Sequence, residues 1–253
     1  MAGRLKGKVA LVSGGATGMG SAAATQIGAV AVVDRNVAAG EATVAAIRAA
    51  GTDAVFIEAD VAEEASVARA VNSAIAEFGP IPALFNHAGS IVIKPFLETT
   101  FQEWEWLMAV NVRSMFLMSK AVLPSMIGAG GGAIVCTSSI SAVAATPNEV
   151  LYDTTKAACQ MFARAIAVEF REKGVRCNAV CPGFIDTPHG KREVEGLTRY
   201  GAMFPTQPSG CSRAAWAGQT TLPARWCSCS AAMNPVSSPA RRSSSTTASP
   251  PSE

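Results

Sequence analysis

The feature that most constrains this chain is a recurring exchange between β-branched runs and Ala-rich or amphipathic runs. "VALVSGG", starting at Val9, is apolar, rich in valine and closed by glycines, which suits a short strand buried on both faces. The same pattern returns as "VAVVD" ending at Asp34, "AVFIEAD" ending at Asp60, "ALFNHAG" ending at Gly89, "AIVCTSS" ending at Ser139 and "VRCNAVCPG" ending at Gly183. Helical spacing fills the gaps at residues 37–50, 63–78, about 101–126 and about 152–173; Val67, Val71, Ala74, Ile75 and Phe78 share one face. Six strands separated by helices predict right-handed crossovers, and so an α/β fold with one doubly wound parallel sheet in a single domain.

The composition permits such a fold. With 253 residues, 49% hydrophobic, 16% charged and a mean hydropathy of +0.25, there is ample apolar material for one large core. The net charge of +2 is unevenly placed. From Ser209 onward there are four arginines and one acid; removing them from 21 basic and 19 acidic residues leaves 17 and 18. The body is therefore close to neutral and offers no nucleic-acid surface. No leader sequence is legible at the N-terminus, and no stretch is predicted to span a membrane. The seven cysteines lack metal-ligand spacing, so they read as reduced thiols of a cytoplasmic protein with no metal.

"SGGATGMG", residues 13–20, leaves the first strand and opens the first helix. Gly14, Gly18 and Gly20, with Met19 between the last two, allow backbone to approach a pyrophosphate closely. Asp34 ends the second strand, where a carboxylate accepts hydrogen bonds from ribose hydroxyls and repels a 2′-phosphate. That favours NAD over NADP, although Arg35 follows directly. Only thirteen residues separate Gly20 from Asp34, so the helix between them is barely two turns long.

Tyr152 and Lys156 are four apart and share one helix face. Ser139 precedes the tyrosine by thirteen residues, at a strand end from which a loop can return it to the same place. A phenol near its usual value of ~10 is a poor base at neutral pH. An adjacent ammonium and a positive nicotinamide ring would lower that value, which acid–base catalysis requires.

With "NHAG", Asn111 in "VNVRSMF", "YDTTK" and "NAVCPGFIDTP" in this order, residues 6–187 resemble the short-chain dehydrogenase/reductase (SDR) family. The resemblance implies a Rossmann-type fold and reversible hydride transfer between a secondary alcohol and its ketone, with a small-molecule substrate. It implies that Tyr152 is the acid–base group and that Ser139 bonds the substrate oxygen. Lys156 would tune Tyr152 and bind the nicotinamide ribose, and Asn111 would hold a water in the relay. It places Asp60 and Val61 at the adenine, and Asn86, Ala88 and Gly89 at the ribose. Pro182, Gly183, Ile185 and Thr187 would meet the carboxamide and pyrophosphate. A homodimer or homotetramer through the long helices is also implied. Apolar pocket loops favour an alicyclic or aromatic alcohol; an NADPH-dependent 3-ketoacyl-thioester reductase and an inactive NAD-binding remnant are the alternatives.

The sequence departs from this pattern in places. His87 stands where an Asn is usual and reads as a tolerated neighbour. Glu149 reads as an exposed loop carboxylate, or else as a polar or cationic preference at the substrate mouth. Trp104 and Trp106 read as packing or subunit-contact residues. The dinucleotide-binding domain is predicted over 1–205. Residues 206–253 form a Ser/Pro/Arg-rich tail outside the family pattern, read as disordered and as the product of a frameshift after about Pro208. The covering lid, the family's last strand and part of the subunit interface are then expected to be lost.

Overall fold

A computed structural model describes Leu5 and residues 7–202. The expectations for the tail and the last strand fall outside these residues.

The chain alternates β1 (Val9–Ser13), α1 (Gly18–Ala24), β2 (Ala29–Asp34), α2 (Val37–Ala49), β3 (Asp53–Glu58), α3 (Glu64–Phe78) and β4 (Ala83–Asn86). It continues with α4 (Phe101–Met108), α5 (Ser114–Gly128), β5 (Gly132–Thr137), α6 (Val150–Glu169), β6 (Val175–Val180) and α7 (Pro188–Arg199). The six strands form one parallel sheet in the order β3-β2-β1-β4-β5-β6. This is a Rossmann-type α/β fold. The order reverses between β1 and β4, so a crevice opens beyond their carboxyl ends.

Both faces of the sheet are apolar. Leu11, Ala31 and Ile134 pack with α3, α5 and α6 residues such as Val71, Met118 and Cys159. Val12, Val30 and Val32 meet Ala24, Val44 and Ile47 from α1 and α2 on the other face. Gly40 lets α2 lie directly on β3, because a Cβ there would sit 2.0 Å from the Phe56 ring.

Helix ends follow local chemistry. Asn36 Oδ1 accepts from the Ala39 amide at 3.1 Å. Thr100 and Glu103 form a reciprocal capping box at α4. Thr187 caps α7 with Pro188 in its first turn, a start signal that the sequence reading passed over.

The short α1, seven residues long, still delivers β2 in register, with Val9 beside Ala29. The return runs through Gly28, where a Cβ would lie 2.4 Å from the Gly7 amide nitrogen.

The helical run predicted over 101–126 extends over Phe101–Gly128 and contains a π-helical turn at Ala109–Arg113. Contrary to the sequence expectation, this run is long and apolar enough to cross a membrane. Half of its most apolar window is buried, with Met115, Met118, Val122 and Met126 in the sheet core. A core helix passes the same length test.

Candidate active site

The crevice at the β1/β4 reversal encloses about 260 Å³ and reaches from the glycine turn to α7. Its floor is made by close backbone contact. Gly14 has φ +68°, and a Cβ on it would lie 2.7 Å from Ala88 Cα. A Cβ on Gly20 would lie 2.1 Å from the Gly14 carbonyl oxygen. Gly14, Gly18 and Met19 line the crevice, whereas Gly20 lies beneath them as a packing position.

Asp34 also lines it, held by two amides: Oδ1 accepts from Asn36 at 3.0 Å and Oδ2 from Ala16 at 3.1 Å. Arg35, Asp60 and Val61 complete this end. Ala88 and Gly89 form the middle wall, and Pro182, Gly183, Ile185 and Thr187 the opposite one.

Asn86 differs from the expectation that it lines the ribose. The strand period turns its side chain into the core, where Nδ2 donates to Ser119 Oγ at 3.0 Å. Its neighbour His87 faces the crevice, stacks on Phe85 and places Nδ1 3.0 Å from Thr137 Oγ1. Burial, aided by Lys156, lowers its pKa to about 4, so it is neutral.

Ser139, Tyr152 and Lys156 converge on one wall and are all buried. Ser139 follows β5, while α6 carries the other two on one face. Burial and Glu193 push the Tyr152 pKa up, and the Ser139 hydroxyl draws it down. Lys156 Nζ donates to the Thr137 carbonyl at 3.1 Å and stands 5.4 Å from the Tyr152 ring centroid. In the protein alone the phenol is therefore raised, whereas the sequence expectation had Lys156 together with a nicotinamide ring lowering it. Burial dominates, and it lowers the lysine's own pKa as well.

Asn111 lies on the π turn, fully buried and off the crevice surface. Oδ1 accepts from Ser90 N at 2.7 Å, and Nδ2 donates to Ser90 O and Thr155 Oγ1 at 3.0 and 2.9 Å. Its side chain thus ties the loop after β4 to α6, with both amide hydrogens committed.

Trp104 packs with Leu107, Leu151 and Tyr152, and Trp106 is partly exposed. Glu149 is fully buried, not an exposed loop carboxylate. Burial, Glu193 and Asp153 raise its pKa to about 8.

The covering helix expected to be lost is present as α7. Its His189, Arg192 and Glu193 line the crevice, and the His189 ring lies 6.1 Å from that of Tyr152. These residues were missed because their helix was missed; the Thr187–Pro188 start, followed by Leu197 on the apolar side, was the available signal.

A sequence profile described as short chain dehydrogenase matches residues 8–197. The chain belongs to the short-chain dehydrogenase family. As a member of that family it is an oxidoreductase acting on CH–OH donors, and the family uses nicotinamide dinucleotides. This short-chain dehydrogenase is 41% identical over 192 residues to a 2,5-dichloro-2,5-cyclohexadiene-1,4-diol dehydrogenase of Sphingobium indicum, covering 74% of this chain and 77% of that one. It is 38% identical over 190 residues to a cyclopentanol dehydrogenase of Comamonas testosteroni, covering 74% and 76%. A short-chain dehydrogenase/reductase structure from Burkholderia xenovorans shares 36% identity with a TM-score of 0.73, covering 79% of this chain and 82% of that one.

Proposed function

We propose that this dehydrogenase oxidises a secondary alicyclic alcohol to its ketone, with NAD as hydride acceptor. The observation that carries the reading is that Tyr152, Lys156 and Ser139 share one crevice with Asp34 and the glycine turn. The names of the diol and cyclopentanol relatives support the substrate class.

The crevice fits a dinucleotide, since the Gly14–Ala88 approach leaves a floor of bare backbone where any side chain would intrude. Gly14, Gly18, Met19 and Thr187 would hold the pyrophosphate, and Asp60 and Val61 the adenine. Asp34 would take the adenosine ribose hydroxyls; its two amide bonds aim the carboxylate, which is why NAD is favoured. Ala88, Gly89 and Lys156 would meet the second ribose, and Pro182, Gly183 and Ile185 the carboxamide. Once bound, the dinucleotide supplies the hydride acceptor and a positive ring.

Ser139 holds the substrate oxygen and Tyr152 takes its proton at the phenol oxygen. The positive ring of the bound dinucleotide would oppose the upward push of burial and Glu193 on the phenol. Lys156, anchored on Thr137, holds its ammonium 5.4 Å from the Tyr152 ring centroid, on the same helix face. Asn111 acts as a positioning residue that fixes α6 and the Ser90 loop. Exposed Phe116 on α5 and Met161 and Val168 on α6 support self-association through the long helices. The four free cysteines among the described residues support a reducing, cytoplasmic setting.

The test is turnover of cyclopentanol and cyclohexanol with NAD⁺ and NADP⁺. Faster reduction of NAD⁺ supports the reading; binding of NAD⁺ without oxidation of any alcohol overturns it.

A further inference from the structure

Glu193 and Glu149 stand beside Tyr152, and the proposed reaction gives neither a task. Glu193 projects from α7 into the crevice lining, is 8% exposed, and makes no hydrogen bond or ion pair among the described residues. Glu149, three residues before Tyr152, is 0% exposed, and neither carboxylate oxygen has a well-formed partner. Only the nearby Thr146 hydroxyl eases its charge. The two carboxyls repel each other, and both act on the Tyr152 phenol. Asp153 adds a third: its Oδ2 accepts from the Thr146 amide at 3.0 Å, while its Oδ1 is buried without a partner.

Unpaired buried carboxyls are costly, and a protein retains them where they bind something. The cation that acts on Glu193 is Lys156, whose Nζ is committed to Thr137. A bound ammonium would have to share the space with that lysine and with the positive ring of the proposed cofactor. A hydroxyl meets no such repulsion. Near neutral pH each carboxyl tends to keep its proton, because burial raises Glu149 to about 8 and Glu193 to about 7. A crevice-lining carboxyl poised near its pKa, as Glu193 is, can donate to a hydroxyl when protonated and accept from it when ionised.

We propose that Glu193, backed by Glu149, forms a specificity subsite that grips a second hydroxyl of a diol or polyol while Tyr152 acts on the first. This rests on the function proposed above and names its substrate class.

The experiment compares kcat/KM for cyclohexanol, the cyclohexane-1,2-, 1,3- and 1,4-diols, and 2-aminocyclohexanol with the full chain and NAD⁺. The expected result is a preference for at least one diol over cyclohexanol. In Glu193→Leu that ratio falls by about ten- to a hundred-fold, the value of one charge-assisted hydrogen bond, and Glu193→Gln recovers part of it. A ratio near one in the native chain, or one unmoved by Glu193→Leu, overturns the proposal. So does a preference for the amino alcohol, which would assign the subsite to a cation. If none of these alcohols is oxidised, the proposed function fails, and calorimetry on the NAD⁺ complex decides the subsite separately. Tighter binding of a diol than of cyclohexanol then supports it, and equal or weaker binding overturns it.

Discussion

The amide of Ala16 donates a 3.1 Å hydrogen bond to Oδ2 of Asp34, joining the glycine turn to the end of β2. The Thr43 hydroxyl, on α2, bonds the Ala16 carbonyl at 2.9 Å, so turn, strand and helix hold one another. The carboxylate therefore enters the crevice already oriented and keeps lone pairs for a diol such as a ribose. Asp34→Ser removes the charge and shortens the group. The ratio of kcat/KM for NAD⁺ over NADP⁺ is expected to fall at least about tenfold, measured by steady-state kinetics with both cofactors.

Tyr152→Phe keeps the ring against Leu107 and Leu151 but deletes the hydroxyl that Ser139 contacts. Its kcat should drop by about 10²- to 10⁴-fold, while NAD⁺ binding, followed by fluorescence, changes little. Lys156→Met, which also removes the anchor on Thr137, should weaken both turnover and cofactor binding.

Glu149 makes stability depend on pH in a defined direction. Its folded pKa of about 8 lies above the usual carboxylate value of 4.5, so the folded state holds the proton more tightly. The native chain is then unpenalised below pH 4.5 and loses stability progressively as pH rises to about 8. Glu149→Gln cannot ionise. Its Tm relative to the native chain should climb between pH 5 and 8.5, by the equivalent of roughly 4 kcal/mol, and flat relative Tm values would refute this origin of the slope.

Gly28 closes the short connection from α1 to β2. Gly28→Ala would drive a methyl group to 2.4 Å from the Gly7 nitrogen and 2.8 Å from the Leu5 carbonyl oxygen. Backbone cannot yield as a flexible side chain can, so a loss of about 1–3 kcal/mol is expected in chemical denaturation. Gly51→Ala is the control for a glycine with open space, where only the cost of its positive φ applies.

The strands and most helices were legible because their signals are local. Valine-rich runs closed by glycine became β1 and β2, and amphipathic spacing over 63–78 became Glu64–Phe78. The placement of Tyr152 beside Lys156 needed only the helical period. Helix α7 escaped because it is strongly polar, and its start is marked by a cap and not by an apolar run. Glu149 was misjudged because nothing near it in sequence shows that the turn before α6 is packed into the interior.

What the amino-acid order determined by itself was the α/β alternation, the glycine turn with its acid, and the spacing of the Ser, Tyr and Lys residues. These follow from residue-level sterics and from periods of 2 and 3.6. The tertiary structure alone decided which groups share a dry volume. It turned Asn86 inward, committed both amide hydrogens of Asn111, and brought Glu193 into the crevice that Tyr152 lines. Desolvation and long-range Coulomb forces depend on what surrounds a group in space, and that is a property of the folded chain.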